Sequence, residues 1–175
     1  IVRPTYLVLG WASKIFNLDP LVVMHLGRFI LDMIFVLILA KFIKIFFKEK
    51  RHLIFVLLIV LFSSGVGVLI KNWYPLSIDL WVPEANTFFM FLESPHFVST
   101  QIFILLFILF IYKYITFPKI MYILLSSLFA SLVMIEHPYM VPFIGIISVL
   151  FILFIPKKLN IKKRISALFI FFLLP

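Results

Sequence analysis

The chain has 175 residues, 65% hydrophobic and 13% charged, with 16 Lys and Arg against 7 Asp and Glu and a mean hydropathy of +1.23. A soluble domain of this size keeps about a third of its unfolded surface exposed and has no room to hide so much apolar area. Soluble, disordered and disulfide-built secreted classes are therefore excluded, the last also because Cys is absent. An integral membrane chain is expected.

Apolar runs predict spans over about 21–47, 53–70, 98–112, 120–135 and 140–155, followed by a shortened run from about 165. The runs are continuous, whereas barrel strands alternate apolar and polar residues. The expected fold is all-α: one multi-pass transmembrane helical bundle, residues 1–175, with an interfacial helix in an outer loop. The chain opens on Ile1, and its last apolar stretch, Ser166 to Pro175, is half the length a span needs. An interior fragment of a longer protein is expected, with the remainder of that protein as one of its partners.

Basic residues orient the spans. Lys41, Lys44, Lys48, Lys50, Arg51, Lys113, Lys119, Lys157, Lys158, Lys162, Lys163 and Arg164 fall in alternate loops, 12 of the 16, whereas the opposite side holds Arg3, Lys14 and Lys71. That asymmetry is a positive-inside pattern. It explains the net charge of +9 as topogenic, with contact to anionic lipid heads, and leaves no role for nucleic acid. Loops 71–97 and 136–139 are then extracytoplasmic, and they carry Asp79, Glu84, Glu93, His96, Glu136 and His137.

In the first span, His25, Arg28 and Asp32 recur at i, i+3 and i+7 and share one helical face. Charge inside a membrane turns to the bundle interior and pairs. An Arg28–Asp32 pair is one reading; the other makes Arg28 a clamp for a phosphate or carboxylate, which its planar fork suits.

The loop KNWYPLSIDLWVPEANTFFMFLESPH, Lys71 to His96, is punctuated by Pro75, Pro83 and Pro95 and carries the belt aromatics Trp73, Tyr74 and Trp81. Its stretch Pro83 to Leu92 predicts a short helix, with Pro at its start and Phe88, Phe89, Phe91 and Leu92 in the interface. Asp79, Glu84 and His96 are candidates for general acid–base work. The same carboxylates could take a divalent cation, but no metal-ligand spacing is present, and no cofactor is specified. His137, before Pro138 in the turn between the fourth and fifth spans, is either a helix-end cap or a further catalytic group. Gly-rich nucleotide loops, HExxH and GxSxG are absent. Ser63, Ser64, Gly65 and Gly67 suit a helix-packing face.

The order Tyr6 and Gly10, His25-Leu26-Gly27-Arg28, Ser63-Ser64-Gly65, Asp79-Leu80-Trp81-Val82-Pro83-Glu84, Ser94-Pro95-His96-Phe97 and His137-Pro138-Tyr139 resembles the middle of bacterial multi-pass enzymes of the GT-C glycosyltransferase superfamily, the mannosyl- and arabinosyltransferase-like proteins. The resemblance covers most of the chain through loose motifs. It implies sugar transfer from a polyprenyl-phosphate donor at the outer face of the plasma membrane, with the main acidic base in an outer loop upstream of Ile1. His25 and Arg28 would then bind the departing phosphate, and Asp79, Glu84, His96 and His137 would supply catalytic groups. Two other classes stay open: a transporter or permease, in which the charged face of the first span lines a path, and a non-catalytic membrane assembly subunit.

Overall fold

The computed structural model describes residues 3–62, 87–92 and 94–154, and every regular element among them is helical. In chain order these are α1 (Pro4–Phe16), α2 (Pro20–Phe46), α3 (Lys50–Phe62), α4 (Thr87–Leu92), α5 (Pro95–Thr116), α6 (Ile120–Glu136), a 3-10 turn over Pro138–Met140, and α7 (Val141–Phe154). The all-α expectation holds. The far half of the second expected span, Pro83 to Asn86 of the expected interfacial helix, and the run from 165 lie outside the described residues; Thr87–Leu92 is helical as expected.

Local chemistry sets the breaks. The chain leaves α1 through Asn17, whose φ of 50° is left-handed, a conformation Asn tolerates through its short polar side chain. Behind it, Leu18 N–H donates to Ser13 O at 3.0 Å, satisfying a carbonyl at the end of the helix. Asp19 then caps α2: its carboxylate accepts from Leu21 N–H at 2.7 Å and Val22 N–H at 3.4 Å, and Pro20 opens the first turn. Pro118 separates α5 from α6, and Pro138 ends α6 just after His137.

The chain packs as two compact units, Thr5–Gln101 and Ile102–Pro175 with Ile1–Pro4, so α5 starts in the first and continues in the second. In the first, α2 buries Phe35, Leu39 and Ile43, spaced four apart along one face, and Phe35 meets Phe91 of α4 edge-on at 5.6 Å. Gly27 permits a close approach of α1 to α2, since a Cβ there would run into the Leu9 side chain. In the second unit, Ile104, Phe107, Ile111, Ile123, Ala130, Val133 and Ile144 form a core, and Ser126 Oγ donates to Phe107 O at 3.0 Å between α5 and α6. Phe110 stacks on Phe129 at 5.7 Å, and Lys113 Nζ lies 5.3 Å from the Phe110 ring centroid.

Among the described residues one helix, α5, is long and apolar enough to cross a membrane, while α6 is apolar but shorter. α2 is longer, at 27 residues, and carries His25, Arg28, Asp32, Lys41 and Lys44. Large apolar side chains are exposed along α2, among them Phe29 at 66%, Ile30 at 56% and Leu37 at 60%.

Candidate functional site

The polar residues of the first unit form two sets of contacts, one between α1 and the start of α5 and one between α2 and α4. Two adjacent residues of α1 reach α5: Thr5 Oγ1 lies 2.6 Å from Ser99 Oγ, and Tyr6 Oη lies 2.9 Å from His96 Nδ1. His96 occupies the first turn of α5 and is 5% exposed. It packs between the Tyr6 ring, at 5.4 Å, and the Phe97 ring, at 4.1 Å. Ser99 and Thr100 turn their hydroxyls back to His96 O, at 3.0 and 2.7 Å, which lets polar side chains sit buried in a helix without breaking it. The buried base candidate His96 is thus oriented by a phenol, an arrangement in which one ring nitrogen is engaged and the tautomer is tied to the Tyr6 proton.

On α2, Arg28 Nη1 donates to Leu92 O of α4 at 2.9 Å, and Nη2 stands 3.3 Å from His25 Nδ1. Guanidinium nitrogen only donates, so this contact requires the Nδ1 lone pair and places the His25 proton on Nε2. His25 is exposed and Arg28 is half-buried. The candidate phosphate binders are therefore brought together, and Arg28 is fixed by a backbone carbonyl 64 residues away in sequence.

The Arg28–Asp32 pair of the first reading does not close to salt-bridge distance. Among the described residues no ion pair joins the two, and Asp32 Oδ1 is buried without a hydrogen-bond partner. Arg28 instead turns its guanidinium to Leu92 O and to His25 Nδ1, one turn back along α2.

Asp79 and Glu84 lie outside the described residues, as does Glu93. His137 belongs to the second unit, where it is the C-cap of α6: its N–H donates to Val133 O at 2.8 Å, and its ring meets Tyr139 edge-on at 5.1 Å. It is 1% exposed and Glu136 is 0% exposed, so both side chains are buried within the protein. The 3-10 turn from Pro138 to Met140 follows, with Tyr139 exposed. This arrangement matches the helix-end reading of His137. Among the described residues no three His, Asp or Glu side chains gather in a way that could hold a metal ion.

Tyr6 enters the sequence reading only as part of an aromatic-Gly segment; its role as the partner of His96 has no local signal, because the two stand 90 residues apart. No family model, curated protein or solved structure matches this chain.

Proposed function

We propose that this chain is part of a multi-pass integral membrane protein of the plasma membrane, and that it works as a GT-C-like glycosyltransferase on a polyprenyl-phosphate sugar donor at the extracytoplasmic face. The observation that carries this reading is Arg28, held by Leu92 O and His25 in the unit that also sets His96 against Tyr6. Support for the membrane part comes from α5 and from the large apolar side chains exposed on α2. It comes also from the alternating basic loops.

The reaction needs two kinds of group. An acceptor hydroxyl attacks the anomeric carbon and gives its proton to a base, while the bond from that carbon to the phosphate oxygen breaks and the polyprenyl phosphate leaves with the electron pair. Arg28, with His25 beside it, supplies charge for the leaving phosphate. Asp79 and Glu84 are the carboxylate candidates for the proton, and His96 is a second acid–base group whose ring is set by Tyr6. The test is sugar transfer from a polyprenyl-phosphate donor by the full-length protein, with wild type compared against Arg28→Ala and Glu84→Gln. Undiminished transfer in both removes these residues from the mechanism.

A transporter is the second reading, and the Asp32 oxygen favours it: a buried carboxylate oxygen without a hydrogen bond, one turn from Arg28 on α2, is the type of group that lines substrate and proton paths. Substrate uptake lost in Asp32→Asn, with sugar transfer absent from wild type, would select that class.

A further inference from the structure

The α2–α3 connection and the outward face of α3 have no part in the site above, yet they carry a sharply divided chemistry. At one end, Lys44, Lys48, Lys50 and Arg51 are all exposed. The acidic residue among them, Glu49, points its carboxylate at His52, with Oε2 at 3.3 Å from Nδ1. From there α3 continues without a polar residue from Leu53 to Phe62. Arg51, Phe55, Leu58 and Phe62 fall at i, i+4, i+7 and i+11, on one face. Phe55 is 65% exposed, Leu58 49%, Ile59 48% and Phe62 64%. These four border an open depression of about 500 Å³, within the size range of small-molecule sites.

We propose that this face seats one anionic phospholipid, with an acyl chain along Phe55, Leu58, Ile59 and Phe62 and the phosphate headgroup at Lys50 and Arg51. Three observations select this occupant. From Lys48 to Phe62 the charge stands at one end, as a lipid requires and an apolar helix does not. The distance fits: Arg51 to Phe62 rises about 16 Å at 1.5 Å per residue, close to one leaflet of a hydrocarbon core about 30 Å thick. The composition also speaks against a second helix on this face, because helices that pack in membranes use small residues at the contact. Leu53 to Phe62 contains no Gly, Ala, Ser or Thr.

The inference rests on the membrane reading above, and the two fail differently. The full chain is extracted from membranes in mild detergent, supplied with equal phosphatidylglycerol and phosphatidylcholine, and the retained lipid is counted by native mass spectrometry. Wild type is expected to retain phosphatidylglycerol in preference. The preference should fall about fivefold for each basic residue removed, so that Lys50→Gln with Arg51→Gln binds both lipids alike. The exchange Lys50→Arg with Arg51→Lys should keep it. Leu58→Trp, which fills the depression, should reduce retention of phosphatidylglycerol, whereas Leu37→Trp on α2 should not. A detergent-requiring protein without headgroup preference, or a preference unchanged in the double Gln variant, overturns the lipid site alone. Recovery without detergent overturns the membrane reading and the site with it. Disulfide-linked dimers of Leu58→Cys, with phosphatidylglycerol retention unchanged by the cross-link, assign the face to a second copy and overturn the proposal.

Discussion

Tyr6 Oη and His96 Nδ1 stand 2.9 Å apart, joining the first turn of α1 to the first turn of α5. One residue earlier on α1 and one turn later on α5, Thr5 and Ser99 repeat the contact at 2.6 Å. The two bonds form a clasp, and they differ in setting: Thr5 and Ser99 are both buried, whereas Tyr6 is 37% exposed. The clasp therefore has a buried half and a half that reaches the protein surface. His96 is held at the border between them.

Tyr6→Phe removes the hydroxyl and leaves a ring nitrogen of a buried His without this partner. Such a loss costs about 1–3 kcal/mol. The expected result is a lower unfolding midpoint for the protein in detergent, and a smaller effect of the same change when His96 is already Ala. Additive effects in that double-mutant cycle would mean that the two side chains do not act on each other.

Helix positions are largely legible in the sequence and contacts are not. Expected spans of 21–47 and 120–135 agree with Pro20–Phe46 and Ile120–Glu136, because both end at polar or Pro punctuation that also ends the hydropathic run. The third, expected over 98–112, is longer, Pro95–Thr116; at its far end Thr116 bonds to Tyr112 O one turn back and stays helical despite its polarity. α1 escapes prediction as a helix: at 13 residues, with Gly10, Ser13 and Lys14 inside it, it gives no span-length signal. The site is half legible. His25 and Arg28 share a face by spacing alone, but the Leu92 carbonyl that orients Arg28, and Tyr6 beside His96, depend on contacts across 64 and 90 residues. The burial of Glu136 and His137 likewise comes from tertiary packing and has no local signal.

Arg28→Lys keeps the charge and loses the fork that spans Leu92 O and His25. If Arg28 stabilises a departing phosphate, transfer should fall about 10²-fold, the scale seen when one preorganised donor is removed, and Arg28→Lys should resemble Arg28→Ala more than wild type. His25→Ala should cost less than either, since Leu92 O still holds the guanidinium. Full activity in Arg28→Lys would leave only a charge requirement.

Ser126 is fully buried and donates to Phe107 O across the α5–α6 contact. Ser126→Ala should cost about 0.6 kcal/mol, the average for hydrogen bonds between membrane helices. Ser126→Leu has no room and should cost about 1–3 kcal/mol through displaced side chains. Thermal unfolding in detergent distinguishes them, and equal effects would show that the serine matters for its hydrogen bond rather than for its size.

The membrane reading is decided by α2, which is charged enough to be questioned and long enough to span. At 27 residues it extends about 40 Å, more than a hydrocarbon core of about 30 Å. A charged residue at mid-bilayer costs about 2.5–3.5 kcal/mol on insertion scales, yet Arg28 has carbonyl and imidazole partners and stands only about a third of the way along the helix. Lys41 and Lys44 lie in its last two turns, where long side chains reach the headgroups. These 175 residues contain no Cys, so Asn17→Cys and Glu49→Cys, which flank α2, each add one thiol to be read against the unsubstituted protein. In intact cells an impermeant maleimide should label Asn17→Cys and should label Glu49→Cys only after the membrane is opened. Labelling of both from outside would make α2 a surface helix, remove the extracytoplasmic assignment of His25 and Arg28, and take the donor-binding proposal with it.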